Sequence, residues 1–153
     1  MQYCLLKNKC NIDDVFLGDI SMKKNTYDLI VDTEKDGVLR LPCDIDEPFA
    51  DALYNKIFTI RPDNNSVVAR LVESRTNASN GPEVMPYNNG KCRKIGNITI
   101  DNKDYSVYSG EVQICLKDLP ADDKVNVIGV IDNNNIRLLD LCCRNEKIMF
   151  VKS

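Results

Sequence analysis

The residues able to do chemistry are sparse in this chain of 153 residues. Histidine is absent, which excludes Ser-His-Asp and Cys-His nucleophilic catalysis, histidine metal ligation and histidine pH switching together. A catalyst built from this sequence would have to use a carboxylate pair, a lysine or a cysteine thiolate. Carboxylates cluster at Asp13-Asp14, Asp44-x-Asp46-Glu47 and Asp122-Asp123. Each cluster falls at an expected turn or strand end, where such side chains cap backbone N–H groups and solubilise the surface. Asp132-Asn133-Asn134-Asn135 has the oxygen density of a calcium loop but lacks its glycine and its distant bidentate glutamate. Asp63-Asn64-Asn65 likewise reads as a turn before it reads as a ligand set. The seven cysteines contain no C-x-x-C pair that would aim two thiolates at one metal. They read as reduced structural thiols. The expectation is a non-enzymatic domain with no metal and no cofactor.

Composition narrows the class. Twenty basic residues against 23 acidic ones give a net charge of −3, which argues against nucleic acid as a partner, because phosphate neutralisation needs a cationic surface. Hydrophobic residues at 43% and charged residues at 28% suit one soluble folded domain. The opening Met1-Gln2-Tyr3-Cys4-Leu5-Leu6-Lys7 holds too short an apolar run for a leader or a span, so no membrane partner is expected and a cytoplasmic location is. Tryptophan is absent, which disfavours a secreted glycan-binding domain.

The elements that would position these residues read as short strands between turns. Tyr27–Asp32 is closed by Asp36-Gly37, Val38–Leu41 is stopped by Pro42, and Ile57–Ile60 runs into Pro62-Asp63-Asn64-Asn65. Val67–Glu73, Ile95–Ile100, Tyr105–Tyr108, Glu111–Leu116, Val125–Ile131, Ile136–Leu141 and Ile148–Val151 follow. Only Pro48–Tyr54 has helical spacing, and Ser74–Gly90 reads as a long polar loop. Eight to ten strands at hairpin spacing predict an all-β fold, an antiparallel β-sandwich or barrel.

Four segments, in order, resemble the β-sandwich of the Hsp70 substrate-binding domain. They are Asp14–Ser21, Ile57–Val68, Gly110–Pro120 and Val125–Ile136, the last with its Ile-Asp-Asn-Asn-Asn-Ile turn. The resemblance implies an N-terminal extension over 1–13 and a peptide-binding β-sandwich over 14–153, without the family's helical lid. It implies a chaperone-like groove that grips extended apolar segments of client proteins by β-like hydrogen bonding and one apolar pocket. Carried over by position, Val31, Phe58, Val68, Val125 and Val127 would line the pocket, and Thr33, Thr59 and Asn65 would offer hydrogen bonds. An ATPase domain or co-chaperone would act in trans, and exposed edge strands would allow a homodimer.

Three residues depart from that pattern. Glu34 and Arg61 stand where the family closes an apolar arch, and Arg70 stands at an apolar pocket position. Inward charge must be paired or solvated, so a Glu34–Arg61 ion pair over the groove is expected, with Arg70 filling or plugging the pocket. The alternative is a structural or adaptor β-sandwich whose degenerate groove serves only protein–protein interaction. The five apolar residues would then be ordinary core.

Overall fold

The computed structural model describes Cys10, residues 24–75 and residues 83–153. Helix α1 (Lys24–Asp36) opens the described chain. It buries Ile30, and Thr33 Oγ1 donates to the Leu29 carbonyl at 2.8 Å. Gly37 ends it at φ +68 with its N–H on the Thr33 carbonyl, the left-handed stop that glycine tolerates best. Asp36 then accepts from the Val38 N–H and takes both Arg40 terminal nitrogens, at 3.0 and 2.7 Å. The Arg40 guanidinium holds the Asp36 carboxyl down at about 2.

Strand β1 (Val38–Ile45) follows, then helix α2 (Glu47–Leu53), with Pro48 in its first turn and Ala50 and Leu53 buried. The Tyr54 hydroxyl accepts from the Ile45 N–H at 2.8 Å and donates to the Cys43 carbonyl at 3.0 Å. It thereby adds side-chain partners to backbone groups at the end of β1, where the Cys43 carbonyl also accepts from the Ser153 N–H at 3.2 Å. Strands β2 (Ile57–Thr59) and β3 (Val68–Arg70), the single-turn helix α3 (Val72–Arg75) and strand β4 (Asn97–Asp101) come next. A 3-10 segment at Lys103–Tyr108 leads to β5 (Val112–Cys115) and β6 (Val125–Ile131). A second 3-10 segment, Asn133–Leu141, precedes β7 (Lys147–Lys152).

The seven strands form one mixed sheet in the order β2-β7-β1-β6-β4-β5-β3. Strands β1 and β7 run parallel, from Val38↔Lys147 to Cys43↔Lys152, and the other pairs are antiparallel. The sheet curls into a half-barrel, and just beyond β2 and β3 one bridge, Ile60↔Leu71, joins its two edges. Alternate residues point inward. Leu39, Leu41, Cys43 and Ile45 of β1 meet Phe58, Ile98, Ile114, Ile128 and Phe150 in the core, where the Phe58 and Phe150 rings lie 5.7 Å apart. The register of β4 against β6 shifts between Ile98 and Thr99, a bulge that increases local bend. Gly129 lies at this bend, so close to β1 that a Cβ there would meet the Asp44 carbonyl oxygen at 2.6 Å.

The expected antiparallel all-β sandwich is therefore corrected to a mixed half-barrel with helices, an α/β fold containing a parallel strand pair. Tyr27–Asp32, read as a strand, lies inside α1, and Tyr105–Tyr108 and Ile136–Leu141 lie in the 3-10 segments. Short aliphatic runs do not distinguish a strand from a buried helical turn. Asp132, expected to lie in a turn, instead caps a helical turn, as does Asn102. Their side chains accept from the N–H groups of Asn134 and Asp104. The expected boundary at 13/14 and the linker-like Asp14–Ser21 lie outside the described residues. No helix among the described residues is long and apolar enough to cross a membrane.

Candidate functional site

The sheet carries its chemistry on the face turned away from the core. Arg70 pairs with Gln113 across β3–β5, Gln113 with Thr99 across β5–β4, and Thr99 with Val127 across β4–β6. Ala69, Ile98, Ile100 and Ile114, the intervening residues, face inward. One step along β4 on the outward face lies Asp101, 2% exposed, whose N–H donates to the Glu111 carbonyl at 3.0 Å. Strand alternation thus assembles Arg70, Gln113, Thr99, Asp101 and Glu111 into one array.

Charge pairing organises the array. Arg61, delivered by the segment after β2 and fixed by its N–H on the Arg70 carbonyl at 2.9 Å, donates Nη1 to Glu111 Oε1 at 2.6 Å. Its Nε and Nη2 make a forked pair with Asp63 at 2.8 and 2.5 Å. Bidentate geometry of this kind is the strong form of an ion pair. The Asp63 carboxyl is held below its usual range by that guanidinium.

Asp101 behaves oppositely. Burial, reinforced by the negative charge of Glu111, pushes its carboxyl up to about 7, against the opposing pull of Arg70. Gln113 Nε2 donates to both of its oxygens, at 3.2 and 3.4 Å. A carboxyl poised near neutrality can exchange a proton or switch between hydrogen-bond donor and acceptor. Beside it, Arg70 is half-buried, its guanidinium makes no hydrogen bond or ion pair among the described residues, and its Nε is buried without an acceptor. An unpaired guanidinium next to a near-neutral carboxyl suits a polar ligand carrying an anionic group.

A concavity of about 430 Å³ lies between α2 and residues 83–87, lined by Phe49, Ala52, Val84, Met85, Tyr87 and Ile100. Buried Asn126 pins its outer wall: Nδ2 donates to the Met85 carbonyl, and Oδ1 accepts from the Tyr87 N–H and from Asn102 Nδ2.

The residues singled out from the sequence are dispersed. Val31, Thr33 and Glu34 ride on α1. Phe58 is core, and the Thr59 N–H donates to Glu73 Oε2 at 2.7 Å. Asn65 Oδ1 accepts from the N–H groups of Val67 and Val68. Val68 is on β3, and Val125 and Val127 are on β6. Arg61 and Arg70 do converge, and the partners of Arg61 are Glu111 and Asp63. Asp101 and Glu111, at strand ends, were missed. The available signal was the acid at each end of a strand pair whose other residues alternate apolar and polar.

Residues 39–151 match the family described as 6-phospho-N-acetylmuramidase, C-terminal. The fold is similar to a crystal structure of a conserved Enterococcus faecalis protein of unknown function, with TM-score 0.80 and 24% identity over 97% of this chain and 39% of that one. It is also similar to an uncharacterized B. cereus protein, with TM-score 0.76 and 24% identity over 99% of this chain and 44% of that one. The chain thus spans about two fifths of the length of these solved neighbours. None of the curated proteins matches it. These findings overturn the Hsp70 resemblance, and with it the chaperone groove for extended clients and the degenerate-groove adaptor. Three of the segments that carried it, Ile57–Val68, Gly110–Pro120 and Val125–Ile136, are strand–turn sequence patterns common to many β-containing folds.

Proposed function

Because the chain belongs to the 6-phospho-N-acetylmuramidase C-terminal family, we propose that it serves as the C-terminal module of a hydrolase acting on 6-phosphorylated N-acetylmuramic acid glycosides. In this reading the array around Arg70 meets the anionic sugar. The family is named for a glycoside hydrolase, so the sequence-based expectation of a protein unconnected with enzymatic activity is dropped. The part of the solved neighbours with no counterpart here would hold the remaining machinery.

The observation that carries the reading is the unpaired Arg70 guanidinium beside Asp101, inside the matched residues. The named sugar carries a phosphate and a lactyl carboxylate, and arginine recognises both geometries with paired N–H groups. Asp101, neutral or ionised near pH 7, can donate to or accept from a sugar hydroxyl. Glu111 and Asp63 hold Arg61 in place, which leaves Arg70 as the array's free cation among the described residues.

Calorimetric titration of the chain with 6-phospho-N-acetylmuramic acid, and with N-acetylmuramic acid, tests this. Saturable binding of the phosphorylated sugar, weakened about tenfold or more by loss of the phosphate or by Arg70→Ala, is the expected result. No binding, or equal binding of both sugars by both proteins, overturns the reading.

A further inference from the structure

A cleft of about 470 Å³ opens at the other end of the sheet, between the β2–β3 turn, the end of β5 and the second 3-10 segment. Its floor is aliphatic, with Leu116 and Ile136, and its rim carries Ser66, Lys117 and Arg144. Asp140 is the one carboxylate among its lining residues, so the rim has an excess of one positive charge. Lys117 and Arg144 make no ion pair among the described residues.

The second observation is Asn64, which also lines the cleft. It is 8% exposed, and its Oδ1 is buried with no hydrogen-bond partner among the described residues. The amide is held only by Nδ2 on the Cys142 carbonyl at 3.4 Å, a contact at the weak limit for a hydrogen bond. Leaving a buried acceptor unpaired is unfavourable, and such an atom in a native fold calls for a donor. The neighbouring Asn65 cannot substitute for it, because its Oδ1 already accepts from Val67 and Val68.

We propose that this cleft is a small-molecule site, separate from the Arg70 array, for an N-acylated aliphatic amino acid or short peptide with a free carboxylate. Each part of that ligand has a counterpart. Its amide N–H donates to Asn64 Oδ1, its aliphatic side chain covers Leu116 and Ile136, and its carboxylate lies between Lys117 and Arg144. The mainly apolar floor favours this class over a sugar phosphate, whose hydroxyls would be desolvated there without partners.

The test is NMR titration of the chain with three probes: N-acetyl-leucine, N-acetyl-leucinamide, and 5-methylhexanoate, which keeps the carboxylate and branched chain but has no amide. Saturable shifts around Asn64 and Leu116 with N-acetyl-leucine are expected, with affinity on the order of 1 mM for so small a ligand. Both other probes should bind about fivefold or more weakly. Arg144→Glu, at an exposed residue, should abolish binding, as should Asn64→Asp if it folds. Arg70→Ala should leave it unchanged, which separates this site from the proposed sugar site. Failure of N-acetyl-leucine to saturate, equal binding of the three probes, or indifference to Arg144→Glu overturns the proposal.

Discussion

Arg61 and Glu111, fifty residues apart in sequence, meet at 2.6 Å with side chains 11% and 3% exposed. This contact ties the segment after β2 to the start of β5 and lies next to the Ile60–Leu71 bridge that joins the sheet edges. A pair so far from water gives little net stability over an apolar replacement, but removal of one partner strands the other charge.

Glu111→Ala should therefore destabilise the fold by about 3 kcal/mol, the low end for a broken buried pair, because Asp63 still holds the Arg61 guanidinium. The double variant Arg61→Met, Glu111→Leu should recover most of that loss. Urea unfolding followed by circular dichroism measures both. A double variant as unstable as the sum of the single variants would show that the pair contributes more than charge compensation.

Asp101 sets a pH dependence. Its folded carboxyl titrates at about 7 against an ordinary 3.8, so between pH 4 and 7 the folded chain holds a proton that the unfolded chain has released. Stability should fall as pH rises through that window and level off above it, by on the order of 4 kcal/mol in total. Asp36 acts in the reverse sense and lower down. Its stabilising ionisation, at about 2, is complete above pH 4 and is lost only in stronger acid. Urea midpoints at pH 5 and pH 8 should differ for the wild type and converge in Asp101→Asn. Equal pH dependence in both proteins would remove Asp101 as the cause.

Gly129→Ala should cost about 1–3 kcal/mol. The added Cβ would lie 2.6 Å from the Asp44 carbonyl and 3.1 Å from the Ile45 Cα, both backbone atoms that cannot swing aside. Gly37→Ala meets nothing within 4 Å, so its cost should be only that of the positive φ, about 1 kcal/mol. Thermal melting of the two variants side by side checks the order.

Burial pushes the thiols of Cys43 and Cys142 up to about 12 and that of Cys115 up to about 11. Cys92 and Cys143 are exposed. Brief alkylation of the folded chain at pH 8, read by peptide mass spectrometry, should label Cys92 and Cys143 and spare the three buried residues until urea is added. Labelling of Cys43 in the native state would indicate that β1 opens readily.

Much of the strand content was legible. Ile57–Ile60, Val67–Glu73, Ile95–Ile100, Glu111–Leu116, Val125–Ile131 and Ile148–Val151 all overlap strands of the structure, because alternation and turn residues are local signals. The helical spacing at Pro48–Tyr54 is α2. The arrangement was not legible. The parallel contact of Val38 with Lys147 joins opposite ends of the described chain, and no local pattern encodes which strands become neighbours. The same limit applied to the site. Arg61 and Arg70 stood out as charges needing compensation, but Glu111 became the partner of Arg61 only once β3 and β5 were adjacent. The burial of Asp101 likewise follows from the array around it, which only strand pairing assembles.

The parallel β1–β7 pair has a mechanical consequence. Tension applied through Lys24 and Ser153 would draw the two strands past each other along their length, loading the rungs from Val38–Lys147 to Cys43–Lys152 simultaneously rather than peeling them one at a time. A tether at these two points would therefore be resisted by the β1–β7 pair, next to the β2 edge of the sheet, and the chain should rupture under pulling in one abrupt event.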